Sequence, residues 1–321
     1  MEIHQNVLRD EKGEITAVEF TFSSQYDPTS VLTDTALTFT PCKFKPIATK
    51  KEVALVAPWG SFRGVLLSIL FSERHRQRVW GTAVMVAPGI ALAAWHVVGP
   101  EQPAMEAGDT SCLLAAPVED GLVFWKPLKI ARVEKSDIAI LSLLRASPIP
   151  PDRKYRIARM SLRLPAIGEM VMVCGFRAEK DEFGVVGDAA KIEVKPRAST
   201  GLVTEVFSSG RDVSSMPLPC IEVDCPTKGG MSGGAAFNKD GLLIGTLSTS
   251  FDGGPSYVSL VWPALLARFD PVWPSDIFNG RDLVSLYDMD PKFCAIEGRQ
   301  AITPDLTAPS DIQTPEHPSD N

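Results

Sequence analysis

The chain has 321 residues, 45% of them hydrophobic and 22% charged, with a formal net charge of −7. That composition suits a globular protein with a sizeable core. An acidic chain without a long Lys/Arg cluster lacks the basic footprint that nucleic-acid binding requires, so no nucleic-acid partner is expected.

The opening MEIHQNVLRD has no basic start, no apolar run and no small-residue cleavage site. The expected location is therefore the cytoplasm, with reduced thiols. The six cysteines (Cys42, Cys112, Cys174, Cys220, Cys225 and Cys294) contain no CxxC pair. Cys220 and Cys225 also lack neighbouring histidines. No metal and no other cofactor is expected, and the thiols read as small buried apolar groups.

In chain order, residues 1–50 read as an N-terminal extension. Within it Ile15–Phe22 places Val18, Phe20 and Phe22 on one face, the alternation of a strand. Residues 51–288 read as the main domain, built of short strands separated by turn signals. The candidates are Val65–Phe71, Thr82–Val86, Ile90–Ala93, Val123–Trp125, Leu128–Val133 and Ile138–Leu143, then Met170–Phe176, Lys191–Val194, Gly201–Phe207, Cys220–Val223, Gly234–Phe237, Leu242–Ser248 and Tyr257–Val261. The segment Ser147–Ile157, with Pro148, Pro150 and Pro151, links two halves. Trp262–Phe269 reads as a short helix after the last strand. So many short strands and so few helices indicate an all-β sandwich or barrel.

One apolar run needs a decision. Gly81–Val98 carries no charge and is long enough for a membrane span. Pro88-Gly89 in its middle breaks a helix and makes a turn. The run is expected to form a buried β-hairpin, and no membrane partner is expected. Residues 289–321 are a Pro-rich tail. From about residue 302, Pro304, Pro309, Pro315 and Pro318 stand among Thr, Ser and acidic residues, with too little apolar surface to offset ordering entropy, so this part reads as disordered.

Only four histidines are present: His4, His75, His96 and His317. His75 lies in a charged loop-like stretch and His317 in the tail. His96 directly follows the apolar hairpin, in AAWHVV. Asp137 opens the apolar strand SDIAILS. Ser232 is framed by four glycines in Gly229–Gly234, GGMSGG. Such glycines free the backbone for a tight turn whose N–H groups converge on one spot, where a developing oxyanion gains preorganised donors. A lone core histidine, a strand-start aspartate and a glycine-rich turn would each be unremarkable. Together they follow the order His, Asp, Ser, at spacings of 41 and 95 in residue number. The known acyl-transfer triad of that order has spacings of about 45 and about 93.

These segments carry a family resemblance. Gly81–His96 (GTAVMVAPGIALAAWH), Ser136–Leu141 (SDIAIL), Ile167–Phe176 (IGEMVMVCGF) and Glu222–Gly245 (EVDCPTKGGMSGGAAFNKDGLLIG) resemble the trypsin-like, chymotrypsin-fold serine peptidases, most closely the HtrA/Deg-type peptidase domain without PDZ. The resemblance covers about residues 60–270. It implies two six-stranded antiparallel β-barrels with the site in the cleft between them, followed by a short C-terminal helix. It implies a serine endopeptidase in which Ser232 attacks, His96 moves the proton and Asp137 orients His96. The backbone N–H groups of Gly230 and Ser232 would form the oxyanion hole. Leu247, Ser248 and Thr249 would offer a strand edge to an extended peptide. Thr227, Ser248 and Val258 would lie near the pocket for the residue preceding the cut. None is charged, which favours a small or apolar side chain there.

Three departures stand out. Met231 replaces the aspartate that pairs with a newly cut N-terminus in digestive relatives. Trp95 replaces a small residue beside the histidine. Gly229 stands where HtrA relatives often have proline. The expected partner is a protein or peptide substrate. The alternative is a catalytically silent relative, or one switched on by a protein partner docking near residues 1–50.

Overall fold

The computed structural model describes residues 64–301 apart from 74–75, 119–120, 147–153, 179–181, 185–188, 213–218, 251–253, 274–277 and 279–281, together with 4–9, 15–23, 38–42, 46, 53–54 and 62. In chain order the strands before the first barrel are β1 (His4–Arg9), β2 (Ile15–Ser23), β3 (Thr38–Pro41) and β4 (Val53–Ala54). Next come β5 (Leu66–Glu73), β6 (Arg76–Ala87), β7 (Ile90–Ala94), β8 (Ser111–Val118), β9 (Gly121–Arg132) and β10 (Ile138–Arg145). Two short helices, α1 (Trp95–Val98) and α2 (Gln102–Ala107), separate β7 from β8. The second half holds β11 (Lys154–Ile157), β12 (Met160–Ser161), β13 (Met170–Ala178), β14 (Glu182–Gly184), β15 (Ala189–Phe207), β16 (Cys220–Val223), β17 (Ala235–Asn238), β18 (Leu243–Ser250) and β19 (Ser256–Leu260). Helix α3 (Trp262–Leu266) and strand β20 (Ile296–Glu297) follow.

Pairing closes two antiparallel rings of six. The first runs β6-β5-β8-β9-β10-β7 and returns to β6, with β14 added outside it on β6. The second runs β15-β13-β17-β18-β19-β16 and returns to β15. The fold is thus the all-β double barrel, with few helices. Closure leaves neither barrel with the open edges that a flat sheet would present. Outside the second ring, β2 and β4 pair with β15, and β12 pairs with β18 and β20.

The uncharged run Gly81–Val98 forms the β6–β7 hairpin and α1, turning at Gly89 with φ of +69°. Alternation along the strands assigns side chains to different cores. Leu67, Ile69 and Phe71 join a cluster made mostly of the first barrel, with Tyr155 and Trp273 added. Leu66 and Leu70 join a larger cluster that also takes in Met172, Cys174, Phe176 and Phe237 of the second barrel. That shared cluster holds the two barrels together. The second barrel has its own core of Val171, Val173, Val203, Ile221, Met231 and Leu260, among others.

Several elements differ from the sequence expectation. Strand β8 was not anticipated: all but its first residue are buried, so it shows no alternation. Lys191–Val194 and Gly201–Phe207 are parts of one 19-residue strand that runs through Pro196. Val123–Trp125 and Leu128–Val133 fall largely within the single strand β9, where a register shift opposite Ser142/Leu143 leaves Leu128 unpaired. Helix α3 is shorter than expected, ending at Leu266. The described chain continues to Ala301, and β20 lies parallel to β12. The tail from residue 302 and His75 lie outside the described residues.

Candidate active site

The histidine and the aspartate meet because of strand register. β10 pairs with β7 so that Ile138 faces Ala94. The next residue on each side, Asp137 and Trp95, is joined by a 2.9 Å bond from the Trp95 N–H to the Asp137 carbonyl. The chain then turns into α1 and presents His96. Asp137 Oδ1 accepts the His96 backbone N–H at 2.9 Å, and Oδ2 lies 2.8 Å from His96 Nδ1. A carboxylate only accepts, so Nδ1 carries the proton and Nε2 is left as the acceptor. The histidine side chain is 48% exposed and the aspartate side chain 9%. Asp137 Oδ2 also accepts the Ser248 hydroxyl.

Trp95 lies against the helix that carries His96. A Cβ on Gly99 would sit 2.3 Å from the Trp95 ring, and the Arg132 guanidinium stands 5.1 Å from the ring centroid. The bulky residue beside the histidine therefore packs on the end of α1.

Ser232 arrives on the loop between β16 and β17. Gly233 has φ of +80°, and a Cβ there would meet Thr82 O at 2.2 Å and Ala94 N at 2.7 Å. That close approach seats the nucleophile loop against the end of β7, two residues before His96. The Thr82 N–H donates to Ser232 O at 2.8 Å, and the Gly233 N–H to Leu247 O at 2.7 Å. Met231 is buried in the second-barrel core. Apolar packing thus anchors the loop where an ion pair anchors it in digestive relatives.

The Ser232 hydroxyl makes one long contact, 3.5 Å, to the Ser248 carbonyl. No hydrogen bond joins it to His96 among the described residues. Ser248 therefore bridges the site: its hydroxyl is on Asp137 and its carbonyl faces Ser232.

Residues 228–231 form a turn closed by the Met231 N–H on Lys228 O at 3.2 Å. Gly230, third in this turn, has φ of +87°, the positive value that a type II turn demands at that position. Among the described residues neither the Gly230 N–H nor the Ser232 N–H has an acceptor.

The expected peptide-binding residues divide. On β18, Leu247 is committed to the loop, donating its N–H to Gly234 O at 2.8 Å. Pairing with β17 stops at Thr246, so Ser248 and Thr249 continue without a β17 partner. Thr227 is buried, with its hydroxyl 2.7 Å from Ser256 Oγ. Ser256 donates its own proton to Cys225 O, so Thr227 is the donor in that pair. Val258 is fully buried in the second-barrel core, paired with Ile221 and Leu247. The roles of the Ser248 hydroxyl and of Thr82 were not anticipated from sequence.

The family profile described as a trypsin-like peptidase domain matches residues 81–245, a span that contains His96, Asp137 and Ser232. No curated protein matches the chain in sequence. Solved structures similar to it include the Rv3671c protease of M. tuberculosis in an inactive form, at TM-score 0.41 and 17% identity over 63% of this chain and 86% of that one. Deg5 gives a TM-score of 0.42 at 16% identity over 62% and 85%. The HtrA-type protease AlgW with a tripeptide gives 0.39 at 15% identity over 62% and 56%.

Proposed function

The chain belongs to the trypsin-like peptidase family, and from that premise we propose that it is a serine endopeptidase working through Ser232, His96 and Asp137. The observation that carries the reading is the Asp137 carboxylate, which accepts both the backbone and the ring N–H of His96. This holds the tautomer whose Nε2 can take a proton.

In the proposed reaction Ser232 Oγ attacks the scissile carbonyl carbon while its proton passes to His96 Nε2. The carbonyl oxygen becomes an oxyanion, stabilised by the unclaimed N–H groups of Gly230 and Ser232, each worth about 10²–10³ in rate. His96 then gives the proton to the leaving amine, and an acyl-enzyme remains. Water, deprotonated by His96, hydrolyses it. Asp137 keeps its charge throughout and stabilises the imidazolium. The open stretch of β18 from Ser248 would add the substrate as a further strand. None of Thr227, Ser248 and Val258 is charged, so a small or apolar residue before the cut is favoured over a basic one.

The long contact of Ser232 with the Ser248 carbonyl supports a second reading, a resting site whose serine must turn toward His96 before attack. A substrate or a protein partner would supply that turn. One experiment addresses both. A fluorophosphonate probe is applied to wild type, Ser232→Ala and His96→Ala, beside a peptide-hydrolysis assay. Labelling and hydrolysis by wild type alone are expected. The two variants should be about equally damaged, because triad members act as a unit. Turnover by Ser232→Ala would sink the assignment. Absence of labelling in all three would favour the resting site.

A further inference from the structure

We propose that Thr82, on the first barrel, is the positioning residue that sets the oxyanion turn of the second. The inference rests on the peptidase reading above and extends it to a residue outside the triad.

Thr82 holds two carbonyls of the nucleophile loop at once. Its N–H donates to Ser232 O at 2.8 Å, and its hydroxyl donates to Gly230 O at 3.0 Å. The direction of the second bond is forced. Thr82 Oγ1 accepts the backbone N–H of Phe176 at 2.8 Å, so its single proton must point at Gly230. Thr82 is fully buried, which leaves no water to substitute for it. Its β-branched side chain is also stiff about χ1. The carbonyls of Gly230 and Ser232 are therefore both tied to one rigid residue; the unclaimed Ser232 N–H lies between them, and the unclaimed Gly230 N–H lies on the peptide just before the first.

The tether acts on the C-terminal end of the turn. Type I and type II turns differ in how the central peptide faces, and glycine at both central positions, Gly229 and Gly230, tolerates either. Only the positive φ of Gly230 seen here goes with the present direction of its N–H. Met231 sits deep in the core and fixes the far end of the turn. Thr82 grips the Gly230 carbonyl and so holds the Gly230–Met231 peptide, whose N–H closes the turn on Lys228 O; without the hydroxyl this end of the turn, from which the Gly229–Gly230 peptide projects, loses its tie to the first barrel.

The test compares Thr82→Val, which keeps shape and removes the hydroxyl, with Thr82→Ser, which restores it. In peptide hydrolysis Thr82→Val should lose about 10²-fold in kcat with KM changed by no more than about threefold, the signature of a lost transition-state donor. Thr82→Ser should recover kcat to within about fivefold. A crystal structure of Thr82→Val should show the Gly230–Met231 peptide moved from its place in the turn, and thermal melting should show a folded protein. An unchanged turn in that crystal structure overturns the proposal whatever the kinetics. So does wild-type kcat in Thr82→Val. Wild type that neither hydrolyses peptides nor labels would instead defeat the peptidase reading, and the turn geometry would still decide the role of Thr82.

Discussion

Asp137 concentrates three hydrogen bonds on one nearly buried carboxylate: two from His96 and one from Ser248. A charged acceptor in such a place is held by its donors, and each bond to an ionised group is worth about 1.5–3 kcal/mol. The donors differ in what they do. His96 is itself the reacting base, so changing the acceptor changes its tautomer. Ser248 only steadies the carboxylate. Asp137→Asn should therefore lower kcat by about 10⁴, the loss seen when this triad acquires the wrong tautomer. Ser248→Ala should cost only about tenfold. Steady-state kinetics on folded variants separates the two. If Ser248→Ala proved as damaging as Asp137→Asn, the serine would have to share in fixing the tautomer.

At the scale of elements, the site depends on segments that cross from one barrel to the other. After α3 the chain runs back to the first barrel. There Asp270 O accepts the Ser142 hydroxyl at 2.6 Å, and Trp273 packs on Trp125 with ring centroids 5.6 Å apart. The Gly89 turn is cut to fit this strap, since a Cβ there would lie 2.1 Å from Trp273 O. The same hairpin ends in α1 and His96. Trp273→Ala should cost about 3–5 kcal/mol in urea unfolding, the range for emptying a buried aromatic site. A loss below about 1 kcal/mol would mean that the strap is not part of the cooperative structure.

How much of this was readable beforehand follows from the range of each interaction. The β6–β7 hairpin was legible because Pro88-Gly89 punctuates it. Strand β8 was not, since a strand buried on both sides has no period to read. The single strand β15 was read as two, Lys191–Val194 and Gly201–Phe207, because the KPRAST stretch between them carries no apolar alternation. His96, Asp137 and Ser232 were legible because the chemistry dictates their types and glycine frames the nucleophile. The Ser248 hydroxyl and Thr82 were not. Their partners lie 111 and 148 residues away, and nothing local marks a hydroxyl for that use.

The whole molecule is held by a core that neither barrel owns. Leu66 and Ile138 of the first barrel share one cluster with Cys174 and Phe237 of the second. Folding of the barrels should therefore be a single cooperative event. The cysteines can report it, because all six are buried and none is in a disulfide. Burial pushes the Cys42 and Cys294 thiols up to about 12, and the Cys220 and Cys225 thiols up to about 11. It raises Cys112 and Cys174 as well. Thiolate is the reactive form, so a thiol reagent should not label the native protein. The same shifts fix a sign. An unfolded thiol loses its proton in the ordinary range, near 9, while the native one keeps it. Stability from this source is complete below about pH 9 and falls as pH rises toward 11 and 12. Pulsed labelling across a urea gradient, read by mass spectrometry, should expose Cys112 of the first barrel together with Cys220 and Cys225 of the second. The common midpoint should move to lower urea when the pH is raised from 8 to about 10. Labelling of Cys112 at a lower urea concentration than Cys220 and Cys225 would show that the barrels unfold separately. The shared cluster would then be a contact between two domains and not the core of one.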